Sequence, residues 1–388
     1  MAELVHQAHA HALYRSWDFS GVARFGDPAW RKLPTLSKED LRDPTTGPLS
    51  GPRHGGEVLF YSSGTTGLPK LTRYGAGDLD RVYDLCVRFA RLEGVGAHSR
   101  VMALLPMALW TVGKITVQGH LRAGAQVFPV DLHGGVEAWQ RAADAIRPTV
   151  ISSTPSVLSA WAPHYRGRAL TLVETTGETL LHSERHAIEA SFGCFVHDAY
   201  GLSECVVGVE CRARHGFHFW PDAVGVEILE EDGNCLLPPG ETGEVVVTSF
   251  MQALAPILRY RTGDRGRIPA APCICGAAQP RVEITGRIGE TYALPRGVKL
   301  RRADVLEALA EIGCQGATVF WKPVPGSPAA LHVAGVFRPA MEIRHAAVAA
   351  HGREGLERAL FAALPELAEL VHEGEVDVRF AAPGGVEA

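Results

Sequence analysis

The sequence predicts an α/β protein: a large N-terminal domain of wound α and β layers with a β-rich part, then a small α+β domain. Three features lead there. Between residues 58 and 192, short apolar runs alternate with stretches whose apolar residues recur at helical spacing. Alternation of that kind winds a sheet with helices on both faces. From about residue 206 the pattern turns to short strands set apart by Gly and Pro, and beyond residue 290 strands and helices mix.

Taken in order, residues 1 to 48 are polar and flecked with aromatics. They end in Leu33-Pro34-Thr35-Leu36-Ser37-Lys38-Glu39-Asp40-Leu41, where Ser37 ahead of acidic residues reads as a helix cap. A Gly/Pro loop over 49 to 56 leads into an apolar strand, Val58 to Tyr61. Leu79, Val82, Tyr83, Leu85, Cys86, Phe89 and Leu92 give a helix over 76 to 93. Val101 to Pro106 reads as a buried strand. Helices follow over Trp110 to Leu121, Gly135 to Ile146 and Ser183 to Phe192, interleaved with strands over Ala125 to Val130, Thr149 to Ser153 and Leu170 to Glu174. Gly243 to Thr248 is a strand of the β-rich part. In the last stretch Ala317 to Trp321 and Leu331 to Phe337 read as strands, Arg302 to Ile312 and His345 to Leu364 as helices. The domains expected are therefore 1–288, with its β-rich part about 206–288, and 289–388.

Composition narrows the class. Of 388 residues, 46% are hydrophobic and 21% charged, the balance of a soluble globular chain. A net charge of −5 without any Lys/Arg block argues against nucleic acid as the main partner. No run of 18 apolar residues occurs, so no membrane span is expected. The start lacks a basic stretch followed by an apolar core, so a cytoplasmic protein is expected. Eight cysteines at this length do not make a disulfide scaffold.

The most chemical stretch is Ser62-Ser63-Gly64-Thr65-Thr66-Gly67-Leu68-Pro69-Lys70, which follows the strand over Val58 to Tyr61. Hydroxyls and backbone N–H groups donate, glycine admits a polyanion closely, and the lysine adds a point charge. This is phosphate-gripping chemistry at Gly64-x-x-Gly67-x-x-Lys70 spacing. It is not the common nucleotide loop, since Leu71 stands where Ser or Thr would hold Mg²⁺. Four later segments suit a nucleotide. Thr175-Thr176-Gly177-Glu178 follows a strand and offers a flat base a glycine to pack on. Ala199-Tyr200-Gly201 gives an aromatic face, and Glu204 a carboxylate for Mg²⁺. Arg259-Tyr260-Arg261-Thr262-Gly263-Asp264 ends a strand with a carboxylate able to chelate ribose hydroxyls. Thr285-Gly286-Arg287 stands at the handover to the last domain. Each could be plain turn punctuation or a solvated face; their joint order is what carries weight. Cys211, His218, Cys273 and Cys275 make a separate set of three sulfurs and one nitrogen, which suits a closed tetrahedral Zn²⁺. His215 is a rival ligand. Cys86, Cys194, Cys205, Cys235 and Cys314 are expected in the core.

Together these motifs resemble the adenylate-forming superfamily of acyl- and aryl-CoA synthetases and peptide-synthetase adenylation domains, and within it the phenylacetate–CoA ligase-like branch. The likeness runs from about residue 30 to 310 and includes Leu33 to Leu41, Gly177-Glu178 followed by Leu180, Tyr200-Gly201-x-x-Glu204, and Cys273-x-Cys275-Gly276 ahead of Gly286-Arg287. The resemblance implies that Ser62 to Lys70, with Thr65 and Thr66, hold the ATP phosphates and the departing pyrophosphate. It implies that Gly177, Glu178, Ala199, Tyr200 and Gly201 frame adenine, Glu204 ligates Mg²⁺, Asp264 binds ribose, and Arg287 sits near ribose or phosphate. It further implies a structural zinc on the four Cys/His positions and a small C-terminal domain that rotates. An acid, expected to be aromatic, would be joined to AMP with loss of pyrophosphate and passed to a thiol of CoA or a carrier protein. Its pocket would lie between Pro106 to Thr116 and His197 to Gly201, with Trp110 as an aromatic wall or a core residue and Lys114 and His197 facing a polar ring substituent. A homodimer is compatible with this reading.

One departure stands out. The family pattern has a lysine in a Gly-rich loop near the C-terminus, whereas the six lysines here are Lys32, Lys38, Lys70, Lys114, Lys299 and Lys322. Slow adenylation, an arginine such as Arg379 in its place, or a different substrate stay open. So do two alternatives: ATP-dependent activation of a non-carboxylate such as nitrite, and a non-catalytic nucleotide-binding homologue. Gly289 stands at the hinge position, where the family has a charged residue.

Overall fold

The computed structural model describes residues 2–43, 45–50, 55–61, 71–107, 111–288, 291–293, 299–311, 314, 318–322, 331–333, 336–338, 340–344, 353–372 and 376–381. Its contacts divide the chain into two compact units, Met1–Leu180 with Ala187–Thr285, and Leu181–His186 with Gly286–Ala388.

After the short helix α1 (Ala2–His9), the first unit opens on an antiparallel hairpin, β1 (Glu57–Tyr61) and β2 (Leu71–Gly75), closed at Tyr61 opposite Leu71. Helix α2 (Ala76–Glu93) starts where the Asp78 carboxylate accepts from Gly75 N, 3.0 Å, and stops at Gly94, whose φ of 84° only glycine adopts easily. The wound part then runs β3 (Arg100–Leu104), α3 (Thr111–Arg122), β4 (Gln126–Pro129), α4 (Gly135–Ile146), β5 (Val150–Ser153), α5 (Pro155–Trp161), β6 (Leu172–Thr176), α6 (His182–Phe192) and β7 (Val196–Gly201). The β-rich part adds β8 (Val206–Glu210), β9 (Phe217–His218), β10 (Val224–Leu229), β11 (Gly243–Ser249), β12 (Ile257–Arg267) and β13 (Arg281–Arg287).

Both parts make one eleven-stranded sheet, ordered β10-β11-β12-β13-β9-β8-β7-β6-β5-β3-β4. Strands β4, β3, β5, β6 and β7 are parallel, and the direction alternates from β8 on. The β-rich part is therefore the continuation of the wound sheet through the β7–β8 pair. Side chains alternate across the parallel block. Met102, Ile151, Val173 and Val196 pack with Trp139, Trp161, Ile188 and Phe192 from α4, α5 and α6. Val101, Val150 and Leu172 pack on the opposite face with Ala90 and Val95. Sheets covered on both sides are buried throughout, and all four residues of β5 are.

The N-terminal segment is tied to β12. Leu36 N donates to Arg259 O (2.9 Å) and Arg261 N to Leu36 O (2.8 Å). Arg259 is fully buried at a φ of 46°, its guanidinium on Glu227 (3.2 and 3.3 Å) and on the carbonyls of Arg31 and Leu33, while Trp30 Nε1 donates to the same Glu227. Ser37 and Asp40 bond reciprocally as expected of a cap, but what they cap is a single 3₁₀ turn, Asp40–Arg42.

The second unit holds β14 (Thr291–Ala293) and β15 (Lys299–Arg301), then α7 (Arg302–Glu311), β16 (Thr318–Lys322), β17 (Leu331–Val333), β18 (Val336–Arg338), β19 (Ala340–Arg344), α8 (Arg353–Ala363), α9 (Pro365–His372) and β20 (Asp377–Ala381). Its core joins Val305 and Leu309 to Leu356, Leu360, Leu367 and Leu370 under Val319, Met341, Ile343 and Val378. The single strand expected over Leu331 to Phe337 is two paired strands, β17 and β18. Of the helix expected over His345 to Leu364, residues 345 to 352 lie outside the described residues.

Candidate active site

Three of the predicted nucleotide segments lie at the carboxyl ends of β6 and β7 and in β12. Gly177, just past β6, has a φ of 83° and turns the chain sharply. Beside it the Glu178 carboxylate accepts from Ser156 N and Ser156 Oγ, both 2.9 Å, so it caps the first turn of α5. Residues 177 and 178 are exposed. Next to this edge, Asp198, Ala199 and Tyr200 are half-buried and Gly201 is exposed. Thr175 Oγ1 donates to Asp198 Oδ1 (2.7 Å), stitching β6 to β7.

The decisive contact crosses the sheet. Tyr200 donates its hydroxyl to Asp264 Oδ2 at 2.7 Å, and its ring lies 5.5 Å from that of Phe217. Asp264 is buried, and its N–H donates to Thr262 Oγ1 (3.0 Å) across Gly263, whose φ of 75° makes the bend. Glu204 is buried, with Oε1 accepting from the Tyr260 hydroxyl at 3.1 Å. Tyr74 OH donates to Ser203 O (3.2 Å), and burial, with Cys205 and Glu204 adding to it, holds the Tyr74 phenol far above its ordinary pKa. Phe217 and Tyr260 are additions: the first lay in a stretch read only for metal ligands, the second inside a motif read for its last residue.

Other predicted residues lie elsewhere. Lys114 is exposed, its ammonium 5.3 Å from the centre of the Phe60 ring. His197 is 2% exposed, with Nδ1 3.8 Å from Glu93 Oε1, on the sheet face under α2. Arg287 is exposed at the end of β13. Ser62, Ser63, Gly64, Thr65, Thr66, Gly67 and Lys70, together with Trp110 and Gly289, lie outside the described residues; the first seven belong to the connection between β1 and β2.

The Cys/His set converges. The ligand atoms of Cys211, His218, Cys273 and Cys275 all lie within 4.8 Å of one another. Cys211 Sγ is 3.7 Å from Cys273 Sγ, and Cys275 Sγ is 3.4 Å from His218 Nε2. A tetrahedral zinc would set those edges at about 3.8 and about 3.5 Å. His218 Nδ1–H donates to Gln279 O (2.9 Å), which leaves Nε2 as the ligating nitrogen. Burial, opposed by that carbonyl and aided by Arg281, holds the His218 pKa below its ordinary value, favouring the neutral form a metal needs. His215 is exposed and outside the group. Of the remaining cysteines, Cys205 and Cys314 are buried as expected, while Cys235 is exposed because it sits in the turn between β10 and β11.

Comparison with known proteins gives the family. A model of the family "AMP-binding enzyme" matches residues 30–253, more than half of the chain. The phenylacetate–coenzyme A ligase of Thermus thermophilus is 30% identical over 294 residues, a stretch covering 72% of this chain and 66% of that protein. The match thus spans just under two thirds of the relative's own length. Among solved structures, a 2-hydroxyisobutyryl-CoA ligase in the postadenylation state with 2-HIB-AMP superposes with a TM-score of 0.76 at 19% identity, covering 100% of this chain and 86% of that one. The anthranilate CoA ligase AuaEII in complex with anthranoyl-AMP gives 0.61 at 18%, covering 83% and 62%. At such identities the structures establish a shared fold. With the family model over more than half of the chain and the ligase 30% identical over 72% of it, the chain belongs to the AMP-binding enzymes, on the phenylacetate–CoA ligase-like branch of the adenylate-forming superfamily.

Proposed function

We propose that the protein activates a carboxylic acid with ATP and passes the acyl group to a thiol. The observation that carries this is the Tyr200–Asp264 hydrogen bond. It brings an aromatic face and a carboxylate together, and exposed Gly177 follows Thr176, which pairs in register with Ala199 next to Tyr200. Asp264 accepts from the ribose hydroxyls, Tyr200 and residues 177–178 bracket the base, and Ser62 to Lys70 grip the phosphates. Glu204 would hold Mg²⁺, which neutralises phosphate charge when bound. The acid's oxygen attacks the α-phosphorus, the bond to the β-phosphate bridging oxygen breaks, and pyrophosphate leaves with that electron pair. Such a transfer rests on positioning and charge neutralisation. Zinc on Cys211, His218, Cys273 and Cys275 would be structural, since four protein ligands leave no open position.

An aromatic acid is the preferred substrate, supported by phenylacetate and anthranilate in the names of similar proteins. Coenzyme A is the preferred acceptor on the same ground, with a carrier protein as the competitor. The test is pyrophosphate release and acyl-AMP formation, read by mass spectrometry over a panel of aryl and alkyl acids plus nitrite. Release with an aryl acid, then thioester with CoA, is the expected result. Lys70→Ala should lower the release by at least about 10²-fold. Silence across the whole panel would overturn the reading, and release with nitrite alone would move it to a non-carboxylate substrate.

A further inference from the structure

Parallel strands buried on both faces are normally aliphatic. Here one cross-strand row on the α2/α3 face is polar: Ser152 on β5 pairs in register with Glu174 on β6, and Glu174 with His197 on β7. Glu174 and His197 are 6% and 2% exposed. His120 reaches down from α3, itself 6% exposed, and places Nε2 2.8 Å from Glu174 Oε1 and Nδ1 2.8 Å from Thr116 O.

The chemistry of that imidazole follows from its two partners. A carbonyl only accepts, so Nδ1 carries a proton. The contact with Glu174 needs another, on Nε2 or on the carboxyl. His120 and Glu174 therefore share one buried proton, best described as imidazolium against carboxylate. Burial alone would lower the His120 pKa, and the Glu174 charge and hydrogen bond outweigh it, so it is raised. Among the described residues, Glu93 and Cys86 from α2, His197 and Asp198 from β7 and Glu210 from β8 are the other ionisable groups grouped around this row. Burial and the Glu174, Glu210 and Asp198 charges hold the Glu93 carboxyl well above the usual carboxylate range.

The row stands one residue before Thr175 and Asp198, which bond to each other at the site, and three before Tyr200. We propose that the His120–Glu174 pair is a positioning device that locks the ends of β6 and β7 for the nucleotide, and that loss of its shared proton gives adenylation an alkaline limb. This rests on the function proposed above. The sign is fixed by the elevated histidine. Its contribution is complete below the unfolded value near 6.5 and disappears as pH rises through the higher folded value. Above that, an imidazole lone pair would face the carboxylate.

The test uses the whole chain, with His120→Gln, which keeps a donor but cannot titrate, and Glu174→Gln, which removes the charge. Expected results are an alkaline fall in kcat/KM for ATP in the wild type, its absence in His120→Gln, and a drop of about 10-fold or more at neutral pH in Glu174→Gln. The histidine ¹⁵N spectrum should show the doubly protonated form of His120 persisting to higher pH in the wild type than in Glu174→Gln. A pH profile unmoved by His120→Gln overturns the positioning role while leaving the function intact. A singly protonated His120 at pH 6 overturns the shared proton. Absence of any ATP turnover in the wild type sinks both proposals, and the spectrum then still reports whether the pair is built as described.

Discussion

Tyr200 and Asp264 divide the work of one contact. A hydroxyl 2.7 Å from a carboxylate oxygen fixes the direction in which that carboxylate faces, and the ring that carries it offers a surface for a base. The carboxylate makes the stronger, charged hydrogen bonds, worth about 1.5–3 kcal/mol each against about 1 kcal/mol for a neutral pair. Asp264→Asn should therefore raise the KM for ATP about 10- to 100-fold, and Tyr200→Phe about 2- to 10-fold. Measured as a double-mutant cycle on kcat/KM, the two should couple, because Tyr200 acts partly through Asp264. Strict additivity would mean the hydroxyl does not orient the acid. At this scale Tyr200, Glu204 and Asp264 were singled out by their chemistry and their order along the chain, and Tyr200 and Asp264 are in contact. His120 and Glu174 were not. A polar residue on an amphipathic helix or within a strand reads as a solvated face until something shows that the face is buried.

Elements were legible where periodicity is long and uniform. The helix expected over Gly135 to Ile146 is found at those bounds, and the strand expected over Thr149 to Ser153 begins one residue later, at Val150. Helix α1 carries too few apolar positions to declare itself, and α5 is only seven residues long, beginning with Pro155. Strand partners were hidden for a different reason. An apolar alternation says which face is buried, not which strand lies alongside, so the junction at β7 and β8 could not be read from either strand. The attachment of the first 40 residues to β12 was equally silent, since it depends on Arg259 reaching Glu227 and two distant carbonyls. Removing one member of a buried ion pair leaves the other uncompensated, a loss of about 3–5 kcal/mol. Arg259→Leu should lower the urea midpoint accordingly without changing the slope of the transition, whereas a change below about 0.5 kcal/mol would show that Glu227 finds other partners.

For the whole molecule, the proposed zinc would be a cross-link between distant parts of the chain. Its ligands join the segment after β8 to the loop before β13, two stretches separated by some 60 residues of chain. A metal that binds the folded form alone stabilises in proportion to its affinity. Elemental analysis should find one zinc per chain, and prolonged chelation should lower the melting temperature by several degrees, about 2–4 °C per kcal/mol lost. Cys273→Ser should do the same with no chelator present. A chain that melts unchanged after its metal is stripped would make the cluster a set of reduced thiols.

The strand bridge between Leu36 and β12 also has a consequence in time. Leu33 accepts its hydrogen bond from Arg259, a partner 226 residues further along the chain. On a ribosome adding about 5–20 residues per second, the N-terminal segment waits roughly 10–45 s before the strand it joins has been made. Through that interval Trp30, Leu33 and Leu36, all buried in the finished protein, lack the part of their core that β12 supplies, Ile257, Leu258 and Tyr260. The attachment of Leu36 to β12 is thus among the last contacts of the first unit to form.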